Sequence, residues 1–173
     1  LLQPYLGGPR CLEVGSGFGA NLPYLVQPGT QWTCLEPDPE LANRIPARQL
    51  ASDTGGTIET RVGTLATLSD DEQFDAILYI DVLEHIEEDA AEMNAVAGHL
   101  NPGGHVIVLC PAHNFLFSPF DKSIGHFRRY NKRMFRAFQV EGLSLASLRY
   151  LDAAGMLLSV ANRMLLRQSM PTA

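Results

Sequence analysis

Three glycines at alternate positions, Gly15, Gly17 and Gly19, follow the apolar residues Cys11, Leu12 and Val14 and precede Leu22, Tyr24, Leu25 and Val26. A strand that bends sharply into a helix needs positive φ, which glycine adopts at little steric cost. Its missing side chain also lets a nucleotide-like ligand reach the backbone. Glu13 stands two residues before the first glycine. An acid there would repel a pyrophosphate but attract a cationic ligand; it could equally cap backbone groups at the turn. Glu36 ends the next apolar segment, about 20 residues after the glycines, where a carboxylate can accept from both hydroxyls of an unphosphorylated ribose. Glu36 by itself does not separate one adenosine cofactor from another. The dinucleotide pattern G-x-G-x-x-G/A can be drawn through Gly15, Gly17 and Ala20.

A second group of reactive side chains follows. His85 comes just after an apolar strand, at the edge where open α/β sheets hold ligands, and histidine titrates near neutrality. It is the first candidate for a base, against the plainer reading of a helix-start residue bonded to Glu84 or Asp81. His126 is a weaker candidate base. His113 and His126 lie in a long segment, Pro111–Tyr130, that also holds Phe115, Phe117, Phe120 and Phe127. A stretch of that length without a period is usually functional or disordered, and its aromatic content argues against disorder. Three histidines on one edge raise a metal site, but their spacing fits no compact ligand pattern, so no metal is expected. His126, Phe127, Arg128, Arg129, Tyr130, Lys132 and Arg133 make a basic run in an acidic chain. Arginine forks bind carboxylates and phosphates bidentately. His113, His126, Arg128, Arg129 and Tyr130 are therefore the expected acceptor-side contacts, with Arg128 and Arg129 as an anion clamp. The alternative is a solvated helix start with local ion pairs.

These residues need a scaffold, and the pattern supplies one. Strands are expected at Cys11–Val14, Trp32–Leu35, Thr57–Val62, Phe74–Ile80, Val106–Leu109 and Leu143–Leu151. Helices are expected at Asn21–Val26, at Leu41–Gln49 with an interruption at Pro46, after Glu87-Glu88-Asp89, at Asn131–Val140 and at Met156–Arg167. Asn101-Pro102-Gly103-Gly104 reads as the turn into the fifth strand. Alternation of this kind predicts a three-layer α/β/α sandwich around a mostly parallel sheet. Phe74–Ile80 is apolar almost throughout, as a central strand covered on both faces should be.

The 173 residues suit a single domain, with 111–130 as an acceptor-side loop. The net charge of −6 argues against nucleic acid as a partner. No apolar run approaches the ~18 residues of a membrane span. Met156–Arg167 could pack on the sheet or lie on a membrane surface or partner. Cys11, Cys34 and Cys110 are odd in number and form no CxxC pair, which reads as buried, reduced thiols in a cytoplasmic protein. The first residue is Leu rather than Met, which reads as a fragment or a trimmed chain. Nothing in the pattern fixes an oligomeric state.

Four segments in order carry a resemblance: Leu12-Glu13-Val14-Gly15-Ser16-Gly17-Phe18-Gly19, Leu35-Glu36-Pro37-Asp38, Phe74-Asp75-Ala76-Ile77 with Asp81-Val82-Leu83-Glu84-His85-Ile86, and Leu100-Asn101-Pro102-Gly103-Gly104-His105-Val106. Together they resemble the class I S-adenosylmethionine-dependent methyltransferases, with a Rossmann-like fold. The resemblance implies S-adenosyl-L-methionine as cofactor and in-line methyl transfer to a small-molecule acceptor, anionic or lipid-linked. It implies that Gly15, Ser16 and Gly17 lie along the methionine and ribose, that Glu36 holds the ribose hydroxyls and that Pro37 packs on the adenine. Thr64 and Leu65 would sit by the adenine edge, and Tyr79 and Ile80 by the methionine. Glu13, Gly19, Asn21, Gly63 and Asp81 complete the implied cofactor set. Tyr79, Phe18 or Phe115 could offer an aromatic face to the sulfonium. Two departures stand out. Gly63-Thr64-Leu65 lacks the acid that the family often points at the adenine amino group. Only six residues follow Arg167, so the usual seventh strand has no segment and the C-terminal part of the fold is expected to be incomplete. Two other readings remain open: an NAD-binding Rossmann oxidoreductase, and a module that binds S-adenosylmethionine without chemistry.

Overall fold

The computed structural model describes residues 2–151. Period-two alternation in the central strands places successive side chains on opposite faces of the sheet. In β1 (Arg10–Val14) Leu12 and Val14 join one core layer, whereas Cys11 joins the other. β4 (Phe74–Ile80) divides in the same way: Ile77 and Tyr79 on the first face, Ala76 and Leu78 on the second, all at 0 % exposure. Burial of each large apolar side chain contributes about 1.5–3 kcal/mol. That is why these two strands are largely apolar, with Glu13 and Asp75 as the polar exceptions between their first and last residues.

β2 (Gln31–Glu36), β3 (Thr57–Val62) and β5 (Leu100–Leu109) complete a sheet of order β3-β2-β1-β4-β5. All of its pairings are parallel. The mostly parallel Rossmann-like fold expected from the pattern is therefore present. Short helices α1 (Leu22–Leu25), α2 (Pro39–Ala42) and α3 (Ala47–Thr54) lie between β1 and β3, and Leu22, Leu25 and Leu50 bury against the Cys11 face. α4 (Asp89–Ala97) buries Met93 and Val96 against the Leu12 face. α5 (Pro119–Ser123) and α6 (Lys132–Ala137) follow β5, and Met134 and Phe135 of α6 extend the Leu12 layer.

Local chemistry sets the boundaries. Asp38 caps α2 by accepting from the N–H groups of Glu40 and Leu41, with Pro39 at the first helical position. Pro46, which lacks an N–H, separates α2 from α3, so the expected interruption becomes two helices. β3 is the edge of the sheet. Arg61 on it pairs with Glu59 and Glu72, a charged cover of the kind that blunts strand edges.

Three expectations need correction. Asn101-Pro102-Gly103-Gly104 does not precede β5 but lies within it. The ladder runs Phe74↔Leu100 and then Ala76↔His105, and the turn, with Gly103 at φ +83°, is absorbed as a bulge. The helix expected over Asn131–Val140 is shorter, because hydrogen bonding stops at Phe138, which turns extended. Leu143–Leu151 forms no strand; Leu145, Tyr150 and Leu151 face solvent rather than a neighbouring strand. The helix expected at Met156–Arg167 lies outside the described residues.

Candidate active site

The strand order reverses between β1 and β4, and the carboxyl ends of these two strands open the crevice where such sheets bind ligands. The glycine bend forms one wall. Gly15 sits at φ +68°, and a Cβ on it would lie 2.5 Å from Cγ2 of Val82, just past β4. Both its conformation and that approach require glycine. Gly17, at φ +56°, has open space where a Cβ would project. One glycine thus lets the bend press against the β4 segment, and the next leaves room above it.

Glu36 closes the bend from the side. Its Oε2 accepts from the Gly17 N–H at 2.7 Å and its Oε1 from the Asp38 N–H at 3.0 Å. A carboxylate has about four acceptor positions, so two remain for hydroxyls. Behind the bend, Glu13 is 1 % exposed. Its Oε1 accepts from Asn21 Nδ2 at 3.0 Å, while Oε2 has no partner. Burial pushes the Glu13 carboxyl up to about 7, against the lowering effect of Asn21 and Ser16. Ser16 is also buried, with its hydroxyl donating to the Glu13 carbonyl.

These features fit S-adenosylmethionine: a glycine bend with open space above Gly17, a carboxylate beside it with acceptor positions free, and an orphaned buried carboxylate oxygen suited to a cationic group. The remaining implied contacts divide. Pro37 and Thr64 are exposed on the same rim, and Gly63 and Asn21 are half-buried there. Gly19 packs on Leu22 and Ile45, so it shapes the bend from below. Leu65 is core. Ile80, half-buried, packs against the Cys11 layer. Tyr79 needs correction: its ring is fully buried and its hydroxyl donates to Glu92 on α4 at 2.7 Å, so it offers no aromatic face. Phe18 and Phe115 remain exposed, at 51 % and 64 %.

The facing wall is the segment after β4. Asp81 takes φ +53°, uncommon for a residue with a side chain. Burial raises its carboxyl pKa, while His126 and His85 lower it. His85 is largely exposed; the partial burial of its ring, with His126 beside it, lowers its pKa. The His85 and His126 rings meet edge to face, with centroids 4.6 Å apart. Behind His126, its Nδ1 lies 3.2 Å from Oδ1 of Asp121. Asp121 is fully buried and accepts from Arg129 Nε at 2.7 Å, Arg129 Nη2 at 3.1 Å and the Ser118 N–H and hydroxyl. Burial pushes this carboxyl up, but the bonds from Arg129 and Ser118 outweigh it and leave the pKa lowered.

The anion clamp is corrected by the same geometry. Arg129 is committed to Asp121, and Arg128 to Asp89 and the Glu87 carbonyl. Buried and half-buried carboxylates inside the fold claim both guanidinium groups, so the ion-pair reading holds. Tyr130 is core as well: its hydroxyl donates toward Asp89 at 2.7 Å and Leu83 at 3.2 Å, at 1 % exposure. His113 stacks on Tyr150 with centroids 4.6 Å apart. Sequence reasoning missed Asp121 and treated Glu84 only as a partner for His85. The capping-box spacing of Ser118 and Asp121 was the available signal for a held aspartate. Cys11 and Cys34 are buried thiols, with pKa values pushed by burial to about 11 and about 12. A separate cavity of about 190 Å³, lined by Arg10, Gln31, Thr57 and Phe74, opens at the opposite, amino ends of the strands.

Comparison with known proteins agrees with this geometry. A family model described as "Methyltransferase domain" matches residues 12–106. A Ubiquinone biosynthesis O-methyltransferase from Xylella fastidiosa is 33 % identical over 105 residues, 60 % of this chain and 42 % of that protein. The chain thus spans less than half the length of the curated relatives it matches. The DhpI–SAH complex is 25 % identical with a TM-score of 0.51, covering 66 % of this chain and 55 % of that one. A Galdieria sulphuraria protein solved as a candidate sarcosine dimethylglycine methyltransferase has a TM-score of 0.64 at 19 % identity, covering 79 % and 55 %, and shares the fold. With more than half of its length matched to that family model, and the glycine bend and parallel sheet in place, the chain belongs to the class I S-adenosylmethionine-dependent methyltransferases.

Proposed function

We propose that this chain methylates an oxygen of a small-molecule acceptor held between the glycine bend and the His85 segment. The observation that carries the reading is the packing of Gly15 on Val82, which brings the cofactor bend against the segment bearing His85. S-adenosylmethionine, when bound, supplies an electrophilic methyl group. Glu36 would hold its ribose, Gly15 and Gly17 its backbone-facing edge, and Glu13 would balance its positive end from behind. The protein then has to align the acceptor oxygen with that methyl group and exclude water, a contribution that reaches ~7–11 kcal/mol in favourable systems.

A hydroxyl acceptor must also lose a proton. The His85 and His126 imidazoles are the rim groups suited to it, with Asp121 holding His126 in orientation. The likeness to Ubiquinone biosynthesis O-methyltransferases supports oxygen as the acceptor atom. An anionic acceptor loses its support, since Arg128 and Arg129 are spent internally. A peripheral membrane contact or lipid-linked acceptor rests on residues outside those described; among the described residues no helix is long and apolar enough to cross a membrane. Residues 1–173 act as one domain in this reading.

The test is methyl transfer from labelled S-adenosylmethionine to a panel of phenols and other hydroxyl compounds, compared with amines and thiols. Wild-type turnover of a hydroxyl compound, lost in His85→Ala with cofactor affinity retained, is expected. Transfer only to amines or thiols, or full activity in His85→Ala, would refute the reading.

A further inference from the structure

The segment after β4 and the segment after α5 converge on one point. A carboxylate oxygen of Glu84 and a ring nitrogen each from His85 and His126 all lie within 4.8 Å of one another. These residues are far apart or adjacent in sequence, a spacing with no metal-ligand signature, and the fold alone brings them together. Glu84 is 0 % exposed, yet neither of its carboxylate oxygens has a hydrogen-bond partner. Its own backbone N–H faces the carboxylate outside hydrogen-bond geometry. An unpaired buried carboxylate is costly, and among the described residues no arginine or lysine forms an ion pair with it; Arg129 bonds to Asp121 instead. Nε2 of His126 points at Glu84 Oε1, 3.9 Å away.

We propose that Glu84, His85 and His126 form a binding site for a divalent transition-metal ion, zinc being the first choice. Two imidazoles and one carboxylate are a donor set that zinc takes in catalytic sites, with a further position left open. Ligand atoms on a tetrahedron with Zn–N bonds of ~2.0–2.1 Å lie about 3.3 Å apart, so the observed cluster needs each side chain to move inward by roughly 1 Å. The supporting shell is already built. Asp121 receives His126 Nδ1, which directs Nε2 toward the ion position, and Arg129 and Ser118 fix Asp121 in turn. A carboxylate behind a ligating histidine is the usual arrangement that sets its tautomer and orientation. His85 is exposed, so the site opens to the crevice, where an acceptor would arrive.

The role of such an ion rests on the methyl-transfer reading. There it would take the acceptor oxygen in its open position and lower the pKa of the hydroxyl, whose proton leaves to solvent. The oxygen lone pair then forms the new O–C bond while the C–S bond breaks and sulfur keeps its electron pair. The two histidines would serve as ligands rather than as free bases.

The test uses the tag-free chain, stripped with chelator and titrated with zinc chloride by calorimetry and with cobalt chloride by visible absorption. Wild type should bind about one equivalent of either ion, with cobalt bands of a low-coordinate nitrogen and oxygen site. His85→Ala, an exposed position that tolerates truncation, and Glu84→Gln should each weaken binding at least about 10–100-fold. Retained titration with S-adenosylhomocysteine shows that each variant is folded. Absence of stoichiometric uptake, or uptake unchanged in both variants, would overturn the proposal. Methyl transfer by metal-free wild type would sink the site's catalytic role while leaving the methyltransferase reading intact. Metal uptake without any methyl transfer would leave the binding site standing and sink the methyl-transfer reading together with the ion's role in it.

Discussion

Glu13→Gln separates the structural cost of the acid behind the glycine bend from its service to a ligand. Burial holds the Glu13 carboxyl up to about 7, from the usual 4.5. Below pH ~4.5 both folded and unfolded chains carry the proton, and the group contributes no pH-dependent term. Between pH ~4.5 and ~7 the unfolded chain releases its proton while the folded one keeps it. The folded state then binds more protons, so stability falls as pH rises. The full loss is about 3 kcal/mol above pH ~7, at 1.36 kcal/mol for each unit of pKa difference. Glutamine does not titrate. It keeps an acceptor for Asn21 but places an N–H group where Oε2 has no partner, a cost that does not vary with pH. Thermal melts of wild type and variant from pH 4 to pH 8 should therefore diverge. The variant should gain about 3 kcal/mol relative to wild type across that range, or ~6–12 °C in Tm. Its affinity for S-adenosylmethionine should fall, because a neutral amide no longer balances the cation. A stability difference that stays flat with pH would refute the buried, proton-retaining Glu13.

The other predictions concern neighbouring residues. Gly15→Ala should destabilise the chain by about 2–3 kcal/mol, since its Cβ strikes Val82 and its φ is positive; Val82→Ala in the same chain should restore only the contact part, read by denaturant melts. Gly17→Ala should cost only about 1 kcal/mol in stability, because its Cβ meets open space, yet it should reduce cofactor affinity in calorimetry. Arg129→Ala should cost about 3–5 kcal/mol by leaving Asp121 buried without its cation, seen as a lowered melting temperature; normal stability with a raised acceptor KM would restore the clamp reading.

The sheet was legible because its signals are local. β3 and β4 follow their expected limits, since a β-branched segment opened by the Gly55-Gly56 turn and a largely apolar run leave few alternatives. The glycine bend was legible because positive φ leaves a mark in composition, and Gly15, Gly17 and Gly19 all adopt it. Leu143–Leu151 misled because alternating apolar residues indicate a strand only where a partner strand waits. Arg128 and Arg129 misled because the acids that claim them, Asp89 and Asp121, come from two segments that only the fold brings beside them. The convergence of Glu84, His85 and His126 is of the same kind: each residue is visible in the sequence, and their common point is not.

The central claim is that an adenosyl sulfonium sits on the Gly15–Gly17 bend with its ribose on Glu36. Calorimetric titration of S-adenosylhomocysteine into wild type and Glu36→Ala tests it most directly. Charge-assisted hydrogen bonds contribute about 1.5–3 kcal/mol each. Wild type should bind one equivalent, and the variant should bind at least about 10–100-fold more weakly, the worth of one such bond, while remaining folded. Equal binding by both chains, or none by wild type at millimolar ligand, would contradict it.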